Sequence, residues 1–391
     1  MKFYWLITAL LASSYLCFGQ TPTASSTDNK SEKRPKLKNF GSSLKPQKDK
    51  DYAREPAQNG DPDVIRINTN LVRSDVLVID QKGNPVRGLK KEDFVVSENK
   101  VSQTIDSFNL GSSEEVPRSI VLIFDYSGSQ FPYLGMTAKA AKTLIDKLNP
   151  NDRMAIVNDD VKLVTDFTSD KKLLKRKIDD LTSTTQPLIR QQLMGFHQGR
   201  SLQFSALMAT LNELFDDEDV RPIIILQSDG DEIFAISSVA REFMKKFGDP
   251  FIPAKSALTI ERLFTKIQQT RATIYSVITG PSILGLTPEQ QKVKVEADYN
   301  EKYWQRHIPE QTALETMAQT SGGFAKYLEK PEQADEIYTQ ILNELNYRYL
   351  IGYYPINQER DGSRRNVRIE VRGHPEYIVW GRKTYVAPDA Q

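Results

Sequence analysis

At 391 residues the chain has room for two compact domains with tails, and its 52 basic against 51 acidic side chains leave a formal charge of +1. That balance provides no global field to draw in nucleic acid or an anionic membrane, so any partner must be recognised locally. The one cysteine, Cys17, lies inside an N-terminal leader; a chain that starts beyond it has no disulfide framework, no cysteine-ligated zinc and no thiol nucleophile.

Residues 1–19 open with Lys2, continue through the apolar run Trp5–Ala12 and end at the small Gly19, the layout of a secretory signal peptide. The expectation is an exported protein, secreted, periplasmic or at the cell surface, with no membrane span after cleavage. Lipid attachment at Cys17 is the competing route, and the bulky Tyr15 and Leu16 before it disfavour that processing. Residues 20–62, rich in Ser, Thr, Pro, Lys and Asp with neither hydrophobic period, read as a disordered linker. Residues 63–115 read as a β unit: Val76 and Val78 alternate, Gln81-Lys82-Gly83-Asn84-Pro85 forms a turn cluster, and Phe94–Val96 and Val101–Phe108 follow.

The pattern changes over 116–346. Ser119–Phe124 is a short β-branched run suited to a strand covered on both faces. Met136, Ala140, Ala141, Leu144, Ile145 and Leu148 fall at helical spacing, stopped by Asn149-Pro150. Met154–Val157 and Lys162–Thr165 flank the turn Asn158-Asp159-Asp160. Helices at Leu202–Phe215, Leu258–Gln269, Ala313–Gln319 and Ala334–Leu345 alternate with strands at Pro222–Leu226, Ala272–Ile278 and Gly323–Leu328. Such alternation predicts an α/β fold: a doubly wound, mostly parallel, Rossmann-like sheet with helices on both faces and a crevice at the carboxyl ends of its strands. Period two returns over 347–388, where Val367, Ile369 and Val371 face away from Arg368, Glu370 and Arg372, and a last strand lies near Tyr377–Trp380. A short hairpin is marginal alone, so these strands should join those of 63–115 in a small, Ig-like all-β sandwich flanking the α/β domain.

The chemistry gathers after the first buried strand. Asp125-Tyr126-Ser127-Gly128-Ser129 puts a carboxylate and two hydroxyls on one lip of the sheet. Ile223–Leu226 ends in Gln227-Ser228-Asp229-Gly230, which delivers a second carboxylate at the end of another strand. A hard oxygen shell of this kind suits Mg2+, Mn2+ or Ca2+ and is poor for zinc or copper.

In these residues the chain resembles the von Willebrand factor type A (VWA) family, whose metal-ion-dependent adhesion site uses D-x-S-x-S, a Thr on a separate loop and a later Asp. The resemblance spans about 116–346 and includes Ala318-Gln-Thr-Ser-Gly-Gly323, similar to the family's A-x-x-T/S-G-G turn. More narrowly, Asp75–Asp80, Asn84-Pro85-Val86, Glu92-Asp93-Phe94 and Tyr349-Leu-Ile-Gly-Tyr-Tyr-Pro355 look like the acidobacterial type of VWA-related exported protein. The family's third loop reads G-G-T; here Gly199-Arg200-Ser201 puts Ser201 at the Thr position and Arg200 at the second Gly. The resemblance implies an adhesion-type protein without catalytic residues. Its metal ligands would be Asp125, Ser127, Ser129, Ser201 and Asp229, its cation Mg2+ with Mn2+ or Ca2+ as substitutes. Tyr126 and Arg200 would stand at the rim, touching a ligand or merely covering the lip. A protein partner would approach through an Asp or Glu carboxylate.

Other readings stand beside these. Asp125-Ser127-Ser129 could be a helix N-cap, which leaves Asp229 unexplained. Asp231 and Glu232 read as first-turn acids of the next helix, and Asp216–Asp219 as a solvated helix end. His197, His307 and His374 are scattered. A metal-dependent phosphohydrolase using Asp125 as nucleophile would want a second acid where Ser127 stands. A metal-free scaffold assembling through its β strands is the remaining alternative.

Overall fold

The computed structural model describes residues 39–44, 71–82, 84–112, 117–127, 130, 133–183, 201–215, 221–246, 255–279, 308–330 and 332–388. The leader, most of the 20–62 linker, Gly128, Ser129, Arg200, the acidic run 216–219 and nearly all of residues 281–309 lie outside them.

In chain order the described elements are β1 (Val72–Ile79), β2 (Phe94–Glu98), β3 (Val101–Gln103), β4 (Ile105–Leu110), β5 (Arg118–Phe124), α1 (Leu134–Asp146), β6 (Arg153–Asn158), β7 (Lys162–Thr168), α2 (Lys171–Thr182) and α3 (Gln203–Glu213). They continue as β8 (Arg221–Ser228), α4 (Ile233–Ile236), α5 (Ser238–Lys246), α6 (Ile260–Gln269), β9 (Thr273–Ile278), α7 (Ile308–Ser321), β10 (Ala325–Tyr327), α8 (Gln333–Tyr347), β11 (Tyr349–Tyr353), β12 (Arg364–Val371), β13 (Ile378–Trp380) and β14 (Thr384–Val386).

Six strands form one sheet in the order β10-β9-β8-β5-β6-β7, parallel except for the antiparallel edge strand β7. The central strands β5, β8 and β9 are buried along their whole length because both faces are covered. Strand alternation divides their side chains between two cores. Ile120, Leu122 and Phe124 meet α1, α2 and α8 on one side, while Val121 and Ile123 meet α3, α6 and α7 on the other. Asn158 closes the β6–β7 turn by accepting from the N–H groups of Asp160 at 3.1 Å and Lys162 at 3.0 Å.

The N- and C-terminal strands interleave in two four-stranded antiparallel sheets, β13-β1-β11-β4 and β14-β12-β2-β3. They share a core containing Val76, Val78, Val96, Ile351 and Val367, with Phe94, Phe108 and Tyr349 in mutual ring contact. Strand β14 lies beyond the last strand expected from sequence.

Within the segment read as a linker, residues 39–44 are docked instead. Phe40 and Leu44 pack on the core beside α3. Glu213 accepts from the backbone of Gly41 at 2.8 Å and Ser43 at 2.9 Å. Two isolated apolar residues are too few to register as a hydrophobic period, yet they suffice to anchor one turn.

Candidate metal centre

The register of the sheet creates the site. Phe124 pairs with Gln227 across β5 and β8, so the residues that follow, Asp125 and Ser228, stand at the same level at the end of the sheet. The Asp125 N–H donates to the Gln227 carbonyl at 3.1 Å, fixing that exit. Asp125 is 1% exposed: it lies at the strand ends but is sealed in, not on an open lip.

Both Asp125 oxygens are engaged. Oδ1 accepts from the Ser127 N–H at 2.9 Å, while Oδ2 accepts from the Ser201 hydroxyl at 3.0 Å and the Ser228 hydroxyl at 2.7 Å. Three segments distant in sequence thus converge on one carboxylate. Asp229 stands beside them, 8% exposed, with Oδ1 accepting from the Asp231 N–H at 3.3 Å. Gly230 follows at φ +87°, where any Cβ would press on the Glu310 carbonyl and on Leu314, so this turn is reserved for glycine. Ser129 and Arg200 fall outside the described residues. Tyr126 is buried and its hydroxyl donates to Asp160 Oδ2 at 2.8 Å.

Ser201 is held from both sides. The next residue, Leu202, donates its N–H to the Asp159 carbonyl at 2.9 Å, and α3 begins immediately after. Glu232 reaches across to the start of that helix, accepting from the N–H groups of Phe204 and Ser205 and from the Ser205 hydroxyl. Glu232 does stand at the start of its own helix, as the sequence suggested, but its side chain serves another one. It is 1% exposed and satisfies the orphan N–H groups of α3. Burial, with the nearby Asp125 charge adding to it, pushes the Glu232 carboxyl up to about 7 despite the three hydrogen bonds that favour ionisation. Gln203, oriented so that its polar atoms are paired, accepts from the N–H groups of Asp231 and Glu232 at 3.0 Å each and donates to Ser201, tying the third loop to the turn after β8.

Sequence reasoning missed Ser228 and Glu232 as site residues. The signal for Ser228 was available: it stands level with Asp125 once the two strands are aligned. Glu232 had no sequence signal, since its partners lie on another helix.

Among the described residues no three His, Cys, Asp or Glu side chains gather closely enough to hold a metal by themselves. The candidate donors are instead the Asp125 and Asp229 carboxylates with serine hydroxyls, and each hydroxyl can turn its proton away and offer a lone pair. That chemistry fits a hard divalent cation and no soft one.

The strand order and the single antiparallel edge make this a mostly parallel α/β sheet, the layout that the resemblance to the VWA family implies. No family model matches the chain, and no curated protein matches it. Several solved structures are similar to it. A von Willebrand factor type A protein from Catenulispora acidiphila is 12% identical, with a TM-score of 0.38 over 82% of this chain and 75% of that one. The vWF domain of the type V pili tip protein Mfa5 from Porphyromonas gingivalis is 15% identical, with a TM-score of 0.35 over 59% of this chain and 95% of that one. The manganese-loaded TRAP protein of Plasmodium vivax is 12% identical, with a TM-score of 0.31 over 76% of this chain and all 100% of that one.

Proposed function

We propose that the chain is an exported, non-catalytic binding protein that recognises a protein ligand through one hard divalent cation at the carboxyl edge of its VWA-like sheet. The observation that carries this reading is the convergence of the Ser201 and Ser228 hydroxyls on Asp125 Oδ2, at 3.0 and 2.7 Å. Asp125, Ser127, Ser129, Ser201 and Asp229 would hold the ion, with Ser228 added to the set. Mg2+ is the expected cation and Mn2+ or Ca2+ its substitutes. When bound, such an ion supplies a positive centre that accepts an Asp or Glu carboxylate from a partner. The chain's own residues do the rest: Asp125 gathers the hydroxyls, and Glu232 fixes the helix that follows Ser201. No described helix is long and apolar enough to cross a membrane.

The completeness of the Asp125 hydrogen bonds favours a second reading, a metal-free scaffold, because three donors satisfy this carboxylate without any ion. Calorimetric titration with Mg2+, Mn2+ and Ca2+ separates the two. The metal reading expects saturable binding by the parent and none by Asp125→Asn, which keeps the shape and an acceptor oxygen but not the charge. Equal heats from both proteins would remove Asp125 from the site, and no heat from either would favour the scaffold.

A further inference from the structure

At the opposite end of the sheet, where β9 begins, a cavity of about 230 Å³ opens between the start of β1, residues 355–360, the first half of β12, β14 and Gln269–Arg271. Arg73, Arg271, Arg360, Arg365 and Arg382 line it, and Glu359 is the one acid among the described residues of its wall. Arg365 is buried, Arg271, Arg360 and Arg382 are half-buried and Arg73 is exposed, so the cavity gathers several cations that have lost part of their water.

The partners of Arg360, Arg365 and Arg382 leave N–H groups of this wall unused. Arg365, 1% exposed, is held by Glu98 at 3.3 Å, Asp361 at 3.3 Å and the carbonyls of Asn357 and Glu359 at 2.7 Å each, yet its Nε is buried without a partner. Arg360 likewise has a buried, unpartnered Nε. Among the described residues Arg382 donates to the carbonyls of Gln268 at 3.3 Å and Ala272 at 3.4 Å, and neither contact is charged. Burial pushes its guanidinium down to about 10, as expected of a cation that has lost water without gaining an acid. Unpartnered Nε groups on Arg360 and Arg365, with Arg382 on the same cavity wall, suit an oxyanion that accepts several donors at once. The charge excess favours a doubly charged group over a single carboxylate. At about 230 Å³ the cavity admits a tetrahedral anion with a small organic part and excludes a folded partner.

We propose that this cavity binds a phosphate-class oxyanion, free or carried on a small organic group. The site is independent of the metal centre and does not rest on that reading.

Calorimetric titration of the full chain with inorganic phosphate and with glycerol phosphate, in buffer free of divalent cations, tests it. Saturable binding is expected, weakening as salt is added and falling at least about tenfold in Arg360→Gln and Arg382→Gln. Asp125→Asn should bind phosphate like the parent, which separates failure of this site from failure of the metal centre. Arg360 makes no hydrogen bond or ion pair within the described residues, so Arg360→Gln keeps the test decisive even if Arg382→Gln folds poorly. Vesicles of phosphatidylglycerol identify the source: capture that is lost in the same variants assigns the phosphate to a lipid headgroup, and phosphate binding without capture assigns it to a soluble molecule. The proposal is overturned by an absence of saturable phosphate binding, by unchanged affinity in Arg360→Gln, or by acetate binding as tightly as phosphate.

Discussion

Asp125 and Glu232 are two buried carboxyl groups at one end of a sheet, and their surroundings give them different tasks. Asp125 accepts from two hydroxyls and a backbone N–H; Glu232 accepts from the first turn of α3 and from a hydroxyl there. Folding raises the Glu232 pKa from 4.5 to about 7, so across that interval the folded chain keeps a proton that the unfolded chain has released. Stability must therefore fall as pH rises through this window, by up to about 1.4 kcal/mol per pH unit from this group. Glu232→Gln should flatten that slope in denaturant titrations at a series of pH values; an unchanged slope would mean that another group causes it. The motif around Asp125 was legible because D-x-S-x-S is local. Its burial was not, since the seal is built by Ser201 and Ser228, 76 and 103 residues away. Full burial of Ser201 also changes what a substitution there does. Ser201→Thr keeps the hydroxyl but must fit a methyl into closed space, at a cost of about 1–3 kcal/mol.

The Ser321-Gly322-Gly323 turn shows why a short motif can be read from sequence. Ser321 accepts from the Ile274 N–H at 2.7 Å, binding the end of α7 to β9, and Gly322 turns the chain at φ +91°. A Cβ on Gly323 would collide with the Ile274 carbonyl, so the backbone passes β9 at a distance only glycine allows. Gly323→Ala should lower stability by more than the ~1 kcal/mol typical of substitutions, measured by chemical denaturation. A neutral result would show that β10 can shift freely. By contrast, α2 was missed: Leu174 and Ile178 are buried and Leu181 packs on the same core, a narrow stripe at i, i+4 and i+7 in a helix otherwise rich in Lys and Asp. The stripe is outnumbered by charged residues, and the Asp170 side chain supplies the start by accepting from the N–H groups of Lys172 and Leu173. The strands of 364–371 were legible for the opposite reason: Val367 and Val371 are buried between exposed neighbours.

Over the whole molecule, a buried ionic cluster joins the β strands to the α/β sheet. Arg348, between α8 and β11, donates Nε to Glu344 at 3.0 Å, Nη1 to the Asp75 carbonyl at 2.9 Å and Nη2 to the Gly322 carbonyl at 2.6 Å. Arg221, opening β8, donates to Asp75 Oδ2 at 2.9 Å and the Gly111 carbonyl at 2.8 Å. These residues are far apart in sequence and each looks like an ordinary surface charge there, so the junction was not legible. Arg348→Met leaves Glu344 buried without its cation and should cost about 3–5 kcal/mol. Adding Glu344→Leu should recover part of that loss if the penalty is the stranded carboxylate, whereas additive destabilisation in denaturant unfolding would place it in lost packing.

The central claim is that Asp125 organises a cation site shared by the ends of β5 and β8 and the Ser201 loop. Anomalous diffraction from crystals grown with Mn2+ tests it most directly. The account predicts one strong peak beside Asp125, with serine oxygens of the site, Ser201 among them, at coordination distances of about 2.0–2.6 Å or one water away. A peak elsewhere, or none while Ser201 and Ser228 still donate to Asp125, would contradict it.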